Sequence, residues 1–179
     1  MIMSLFRSRP SPIPALLYKE VVAASRREAF YRDFAIPDTP QGRFEMVILH
    51  ACLLLRQTRH HPELEALAQD VVDLMFTELD SALREMGIGD MAVPRRMKKL
   101  AGAIYGRFAA YDEAFKSKNS DDMCETLQRN IDVADGSGGV MALADYLRNA
   151  DDILAKQFDV GTVLAGRIDF PPCVVTPAT

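Results

Sequence analysis

A chain of 179 residues that is 49% hydrophobic is long enough to bury its own core and too apolar to be disordered. Its formal net charge of −4 and sequence pI near 5.4 exclude general DNA or other nucleic-acid binding, which needs many cations facing the phosphates; any polyanion contact is local. Cys52, Cys124 and Cys173 are widely spaced with no Cys or His in zinc-finger register, which predicts reduced thiols and no metal.

Residues 1–12 read as a mobile N-terminal segment, without the apolar run and small-residue cleavage site of a secretory signal, so a cytoplasmic protein is expected. Pro10, Pro12 and Pro14 delay the first helix to about Ala15, and the stripe Leu16, Leu17, Val21, Val22 carries it to about Phe34 with a break near Ser25. Thr39 as N-cap and Pro40 at the first helical position open a second helix that runs to about Thr58. Its apolar residues, Phe44 to Leu55, surround nearly the whole circumference, which marks the central element. The longest apolar stretch, Met46 to Leu55, is interrupted by His50 and falls far short of the roughly 20 residues needed to span a bilayer.

His61-Pro62 restarts the chain, and Leu64, Leu67, Ala68, Val71, Met75, Leu79, Ala82, Leu83 and Met86 give a third helix with one wet face, ending at Gly87. Val93, Met97, Leu100, Ile104, Phe108, Tyr111 and Phe115 repeat at the same spacing in a fourth helix ending near Lys118. Ser120 is expected to cap a short fifth helix to about Ile131; Asp135 to Gly139 forms a flexible loop, and Val140 to Leu154 defines a sixth helix. The glycines and prolines after Phe158 exclude a long helix and predict an extended or frayed tail, held where Phe158, Val163, Leu164, Ile168 and Phe170 reach apolar surface. The pattern as a whole predicts an all-α, single-domain bundle of about six helices over residues 13–157, with an irregular tail over 158–179.

The least generic stretch joins the third and fourth helices. Gly87 suits the left-handed conformation that ends a helix, Asp90 is placed to cap the next, and Pro94 falls in that helix's first turn. Arg95, Arg96, Lys98 and Lys99 follow in turns where the helix dipole gives cations no support. With Arg84 and Arg107 they make the middle of the chain basic, whereas residues 112–152 hold ten acids against four bases. Two readings stay open: a solvated face paired with acids of neighbouring helices, or a docking surface for an anionic partner formed by Arg84, Asp90, Arg95, Arg96, Lys98, Lys99 and Arg107. Met91, beside the joint, belongs with core filler or with an adaptable apolar groove.

His50 is expected to be a core histidine satisfied by Glu45 or by a neighbouring helix rather than a ligand, and it is the internal candidate for an axial haem contact. His60-His61 has no carboxylates in metal register, Gly87-Ile-Gly89 lacks the strand of a phosphate loop, and acidic neighbours surround Cys124. No catalytic residues, cofactor or metal ligands emerge, and a non-enzyme is predicted.

Phe30-Tyr31, Pro37-Asp38-Thr39 through Gly42-Arg43-Phe44-Glu45, His50, and Leu83 to Asp90 with Val93 and Met97-Lys98-Lys99 occur in an order and spacing that continue in Tyr105-Gly106-Arg107, Ala110-Tyr111-Asp112 and Arg129-Asn130. Over roughly residues 25–150 the chain resembles the ubiquinol-cytochrome c chaperone family, assembly factors for cytochrome b of the bc1 complex. The resemblance implies an all-helical protein that binds newly made cytochrome b; mitochondrial members work with a small partner protein near the ribosomal exit. The absence of a long presequence points to a bacterial member. The basic cluster would then meet ribosomal RNA or an anionic membrane surface, and a peripheral position at the inner membrane follows. The alternative is a helical interaction module that pairs with a soluble protein or forms a homodimer.

Overall fold

Residues 11–117, 119–133 and 138–173 are described by the computed structural model. Residues 1–10 of the segment read as mobile, most of the predicted 135–139 loop, Lys118 and the last six residues of the tail lie outside the described residues.

Eight α-helices and one 3-10 turn, with no strand among the described residues, make an all-α fold: α1 (Ile13–Ser25), α2 (Glu28–Arg32), α3 (Pro40–Thr58), the turn Pro62–Leu64, α4 (Glu65–Glu85), α5 (Val93–Lys116), α6 (Ser120–Asn130), α7 (Gly139–Gln157) and α8 (Val160–Leu164). The chain's first apolar stripe splits in two near Ser25, as its sequence suggests. Ser25 Oγ donates back to the Val22 carbonyl at 2.8 Å, and Tyr31 Oη donates to the Ser25 carbonyl at 3.0 Å. Arg27 then turns to an extended conformation, so the side-chain bonds stand in for the interrupted backbone ladder.

Helix α3 is the axis. Met46, Ile48, Leu49, Ala51, Cys52, Leu53 and Leu54 are all buried, and the helix is flanked by α1 and α4 as well as by α5 and α7, with α6 bridging α5 to α7. Its start is fixed by Thr39, whose hydroxyl accepts from the Gly42 N–H at 3.1 Å. Gly42 is required there because a Cβ would lie 2.1 Å from the Pro37 carbonyl oxygen, a backbone atom that cannot rotate away. Gly42→Ala is therefore expected to destabilise the fold by about 3 kcal/mol through forced displacement of the 37–42 turn, read as a shifted urea midpoint. An unchanged midpoint would mean the turn relaxes freely.

The α4–α5 joint is a tight helix stop. Gly87 has φ +78°, its N–H reaches the Arg84 carbonyl at 2.9 Å, and the Ile88 N–H reaches the Leu83 carbonyl at 3.2 Å, the paired bonds of a Schellman ending. Pro94 lies in the first turn of α5 as expected. Asp90 is not the cap: Ala92 holds that position without a side-chain bond, and the Asp90 carboxylate is taken instead by Arg84. Similarly, Asn119 rather than Ser120 caps α6, its Oδ1 accepting from the Asp121 N–H at 3.1 Å.

The tail contains a helix that periodicity does not reveal. Asp159 Oδ2 accepts from both the Thr162 N–H at 2.6 Å and the Thr162 hydroxyl at 2.8 Å, which starts α8. Gly166, at φ +77°, then turns the chain, and Ile168 and Phe170 enter the core. The Arg27 guanidinium donates to the Pro171 carbonyl and, at 2.9 Å, to the Phe170 carbonyl, fastening this strap to the α1–α2 corner.

Candidate functional site

The eight residues expected to bind a partner separate into three groups. Arg95, Arg96, Lys98 and Lys99 are exposed, and none forms an ion pair among the described residues. At 100° per residue they occupy one arc of about 160° on the side of α5 away from buried Val93 and half-buried Met97 and Leu100. None of the four is paired with a carboxylate of a neighbouring helix among the described residues, so the face is solvated rather than internally paired.

Arg84 and Asp90 form a tie across the joint. Arg84 Nε contacts Asp80 at 2.6 Å while its Nη1 holds Asp90, so this arginine is committed to closing the corner. Met91, next to Asp90, stands 97% exposed, and Met86 is 76% exposed.

Arg107 is apart from the exposed cations. Its Nε lies 2.6 Å from Glu45 Oε1 on the central helix, although the N–H does not point along that line and the contact is an ion pair rather than an aligned hydrogen bond. Glu45 is fully buried and also receives the Gln41 amide at 3.0 Å. Burial pushes its carboxyl up to about 7, against the opposing pull of Arg107 and Gln41. Glu45 Oε2 has no hydrogen-bond partner among the described residues.

His50 belongs to the core. Its Nδ1–H donates to the Met46 carbonyl at 2.8 Å and its Nε2 accepts from Tyr146 Oη at 3.1 Å, with Phe30 and Phe170 packed edge-on against the ring. A carbonyl only accepts, so Nδ1 carries the proton. The partner is thus α7 and not Glu45. Both ring nitrogens are used, which leaves no lone pair for a haem iron, and burial drives the imidazole down to about 4. No group of three side chains suited to hold a metal occurs among the described residues.

Two open grooves flank this axis. One, of about 700 Å³, lies between α1, α3 and α4, with Tyr18, Val22, Phe44, Val47, Met75 and Leu79 on its walls and Arg26, Arg43, Asp38 and Glu78 among its polar lining. The other, of about 500 Å³, lies between α3, α4 and α5 and is lined by Leu55, Val72, Tyr105 and Phe108 beside Arg59 and Glu65. The methionine that lines a groove is Met75; Met91 lines neither. Sequence reasoning passed over the Tyr18–Leu79 groove because its walls come from three helices far apart in the chain.

No described helix is long and apolar enough to cross a membrane. Fold and surface define an α-helical protein with shallow open grooves beside its central helix and a cationic corner at the α4–α5 joint. The chain belongs to the ubiquinol-cytochrome c chaperone family, whose sequence profile matches residues 32–169. It is similar to the crystal structure of the Cbp3 homologue from Brucella abortus, at 38% identity over 90% of each chain with a TM-score of 0.81. No curated protein sequence matches.

Proposed function

We propose that this protein is a non-enzymatic assembly chaperone for cytochrome b of the ubiquinol-cytochrome c reductase complex. It works in the cytoplasm at the inner membrane, without a cofactor, and takes the subunit as it is made or inserted. The observation that carries this reading is the 38% identity to the Cbp3 homologue across 90% of both chains, which goes beyond shared fold.

The groove between α1, α3 and α4 is the place for the client. A spanning helix of about 20 residues is some 30 Å long and at least 10 Å across, several times the roughly 700 Å³ available. The groove therefore takes a few apolar side chains from one face of a client segment, and Arg26, Arg43, Asp38 and Glu78 meet its polar flank. Such partial burial gives holding without permanent capture, which suits a chaperone that must release. The exposed arc Arg95, Arg96, Lys98 and Lys99 keeps the protein near the ribosome or the membrane.

A mild-detergent pull-down of the tagged protein from its native cells tests the reading. Cytochrome b is expected in the recovered material. Recovery of a soluble partner or only a second copy of the chain, with cytochrome b assembly normal in a deletion strain, would overturn it in favour of an interaction module. Arg95→Glu combined with Lys98→Glu is expected to leave stability within about 0.5 kcal/mol, since both residues are exposed, while abolishing co-sedimentation with ribosomes and membranes. Unchanged co-sedimentation would remove the docking role of the arc.

A further inference from the structure

Two features coincide at the α4–α5 corner and nowhere else in the described surface is the combination so marked. Met86 and Met91 project into solvent at 76% and 97% exposure, on either side of half-buried Ile88. Directly after them come four exposed cations with no ion-pair partner among the described residues. Over residues 80–99 five cations face three carboxylates, in a chain whose net charge is −4. Two of those carboxylates, Asp80 and Asp90, are already held by Arg84, so the corner presents positive charge outward.

We propose that this corner docks on an anionic lipid bilayer, Met86 and Met91 entering the boundary between headgroups and acyl chains while Arg95, Arg96, Lys98 and Lys99 meet the lipid phosphates. The inference rests on the docking role given above to the arc and names its partner. Three observations favour a bilayer. Largely exposed methionines gain by leaving water, and a phosphate backbone offers them nothing apolar to enter, whereas the acyl boundary does. Neither Met86 nor Met91 lines either of the two grooves and both stand out from the surface, which suits a corner that presses into a yielding surface better than one that receives a partner's helix. The flexible lysine and arginine stems let their charges stay at headgroup level while the corner sinks. The joint that carries all six side chains is fixed by the Schellman bonds and by the Arg84 tie, which presents them without further ordering.

Each cation near a negative surface contributes about fivefold to binding at moderate salt, so the four act together. Flotation of the purified full chain with vesicles tests this, using phosphatidylcholine alone and phosphatidylcholine with roughly one part in three phosphatidylglycerol. The chain is expected to float with the anionic vesicles only, and less as salt is raised. Met86→Gln with Met91→Gln leaves every charge in place and is expected to weaken binding about tenfold, with Met86→Leu and Met91→Leu restoring it. Because both side chains are exposed, a melting curve equal to that of the parent confirms that the variants fold. Three results would overturn the proposal: no flotation, equal flotation with both vesicles, or a Gln pair that binds as tightly as the parent. The last, with RNA displacing the vesicles, would identify the corner as a polyanion site for RNA. None of these results bears on recovery of cytochrome b in the pull-down, so the chaperone reading stands or falls separately.

Discussion

Arg56→Ala is expected to lower stability by about 4 kcal/mol, because it breaks a largely buried charge cluster that joins three helices. Arg56 leaves α3 and makes a two-pronged contact with Asp151 on α7, Nε to Oδ1 at 3.0 Å and Nη2 to Oδ2 at 2.9 Å, while Nη1 reaches Asp112 on α5 at 2.6 Å. Its guanidinium also sits 4.4 Å from the centre of the Phe115 ring. Arg56, Asp112 and Asp151 are only 17%, 11% and 18% exposed, so this is no solvent-screened surface bridge. Burial alone would raise the Asp112 carboxyl, yet Arg59, Lys116 and Arg56 outweigh it and hold the group at about 2.

Removing Arg56 leaves Asp112 with Arg59 and Lys116, but leaves Asp151 with little besides the Gln57 amide at 2.8 Å. The cost is therefore chiefly that of a half-buried carboxylate without its cation. Urea unfolding at neutral pH measures it, and a drop in melting temperature of roughly 10 °C is expected for a chain of this size. Pairing Arg56→Met with Asp151→Leu is expected to recover much of the loss, because the double variant buries no orphaned charge. A single-variant loss under about 1 kcal/mol would place the cluster among ordinary surface pairs.

What the sequence made readable follows from how local each signal is. The apolar stripes of α4, α5 and α7 and the all-round apolar surface of α3 are set by spacing within one helix, and the structure places them as that spacing requires. Caps are less legible. Asp90 and Ser120 have the right chemistry, but which residue caps depends on where the backbone leaves the helical region, and Ala92 and Asn119 occupy those points. Asp159 was readable in principle, since Asp-x-x-Thr after the α7 stripe is a helix start; the glycines around it obscured that. Arg107 is the instructive residue. It lies three residues after buried Ile104 and four before buried Tyr111, which puts it at the edge of the inward side of α5, just past the Arg96 end of the exposed arc. An arginine facing inward needs a carboxylate, and Glu45 in the most apolar helix needs a cation; each was visible, and only the packing of α5 on α3 joins them. The motifs that carry the family resemblance thus include a buried pair that ties α3 to α5, Glu45 with Arg107, an exposed pair on the wall of a groove, Asp38 with Arg43, and the corner that faces outward.

Glu45 and His50 sit five residues apart on α3 and pull the pH dependence of stability in opposite directions. The Glu45 carboxyl rises from 4.5 to about 7 in the folded chain, so between those values the folded state keeps a proton that the unfolded state gives up. Its contribution is present below pH 4.5 and is lost as pH rises through about 7. The full shift is worth about 3 kcal/mol, reduced to about 2 by the water that reaches the 21%-exposed Arg107 side chain. His50 falls from 6.5 to about 4, so in that window the unfolded chain takes up a proton that the folded chain refuses. Its contribution, about 3 kcal/mol, is present above 6.5 and is lost as pH drops through about 4. Over the shared range the two slopes nearly cancel. Glu45→Gln is therefore expected to uncover the histidine, giving a steep loss of stability on acidification. His50→Gln uncovers the glutamate, and stability then declines as pH rises toward neutrality. Carboxylates held low, such as Asp112, add an acid-side loss common to every chain, so the differences from the parent are what count. Urea midpoints at a series of pH values between about 4 and 8 give those differences, and a Glu45→Gln profile parallel to the parent's would show that Glu45 stays ionised in the folded core.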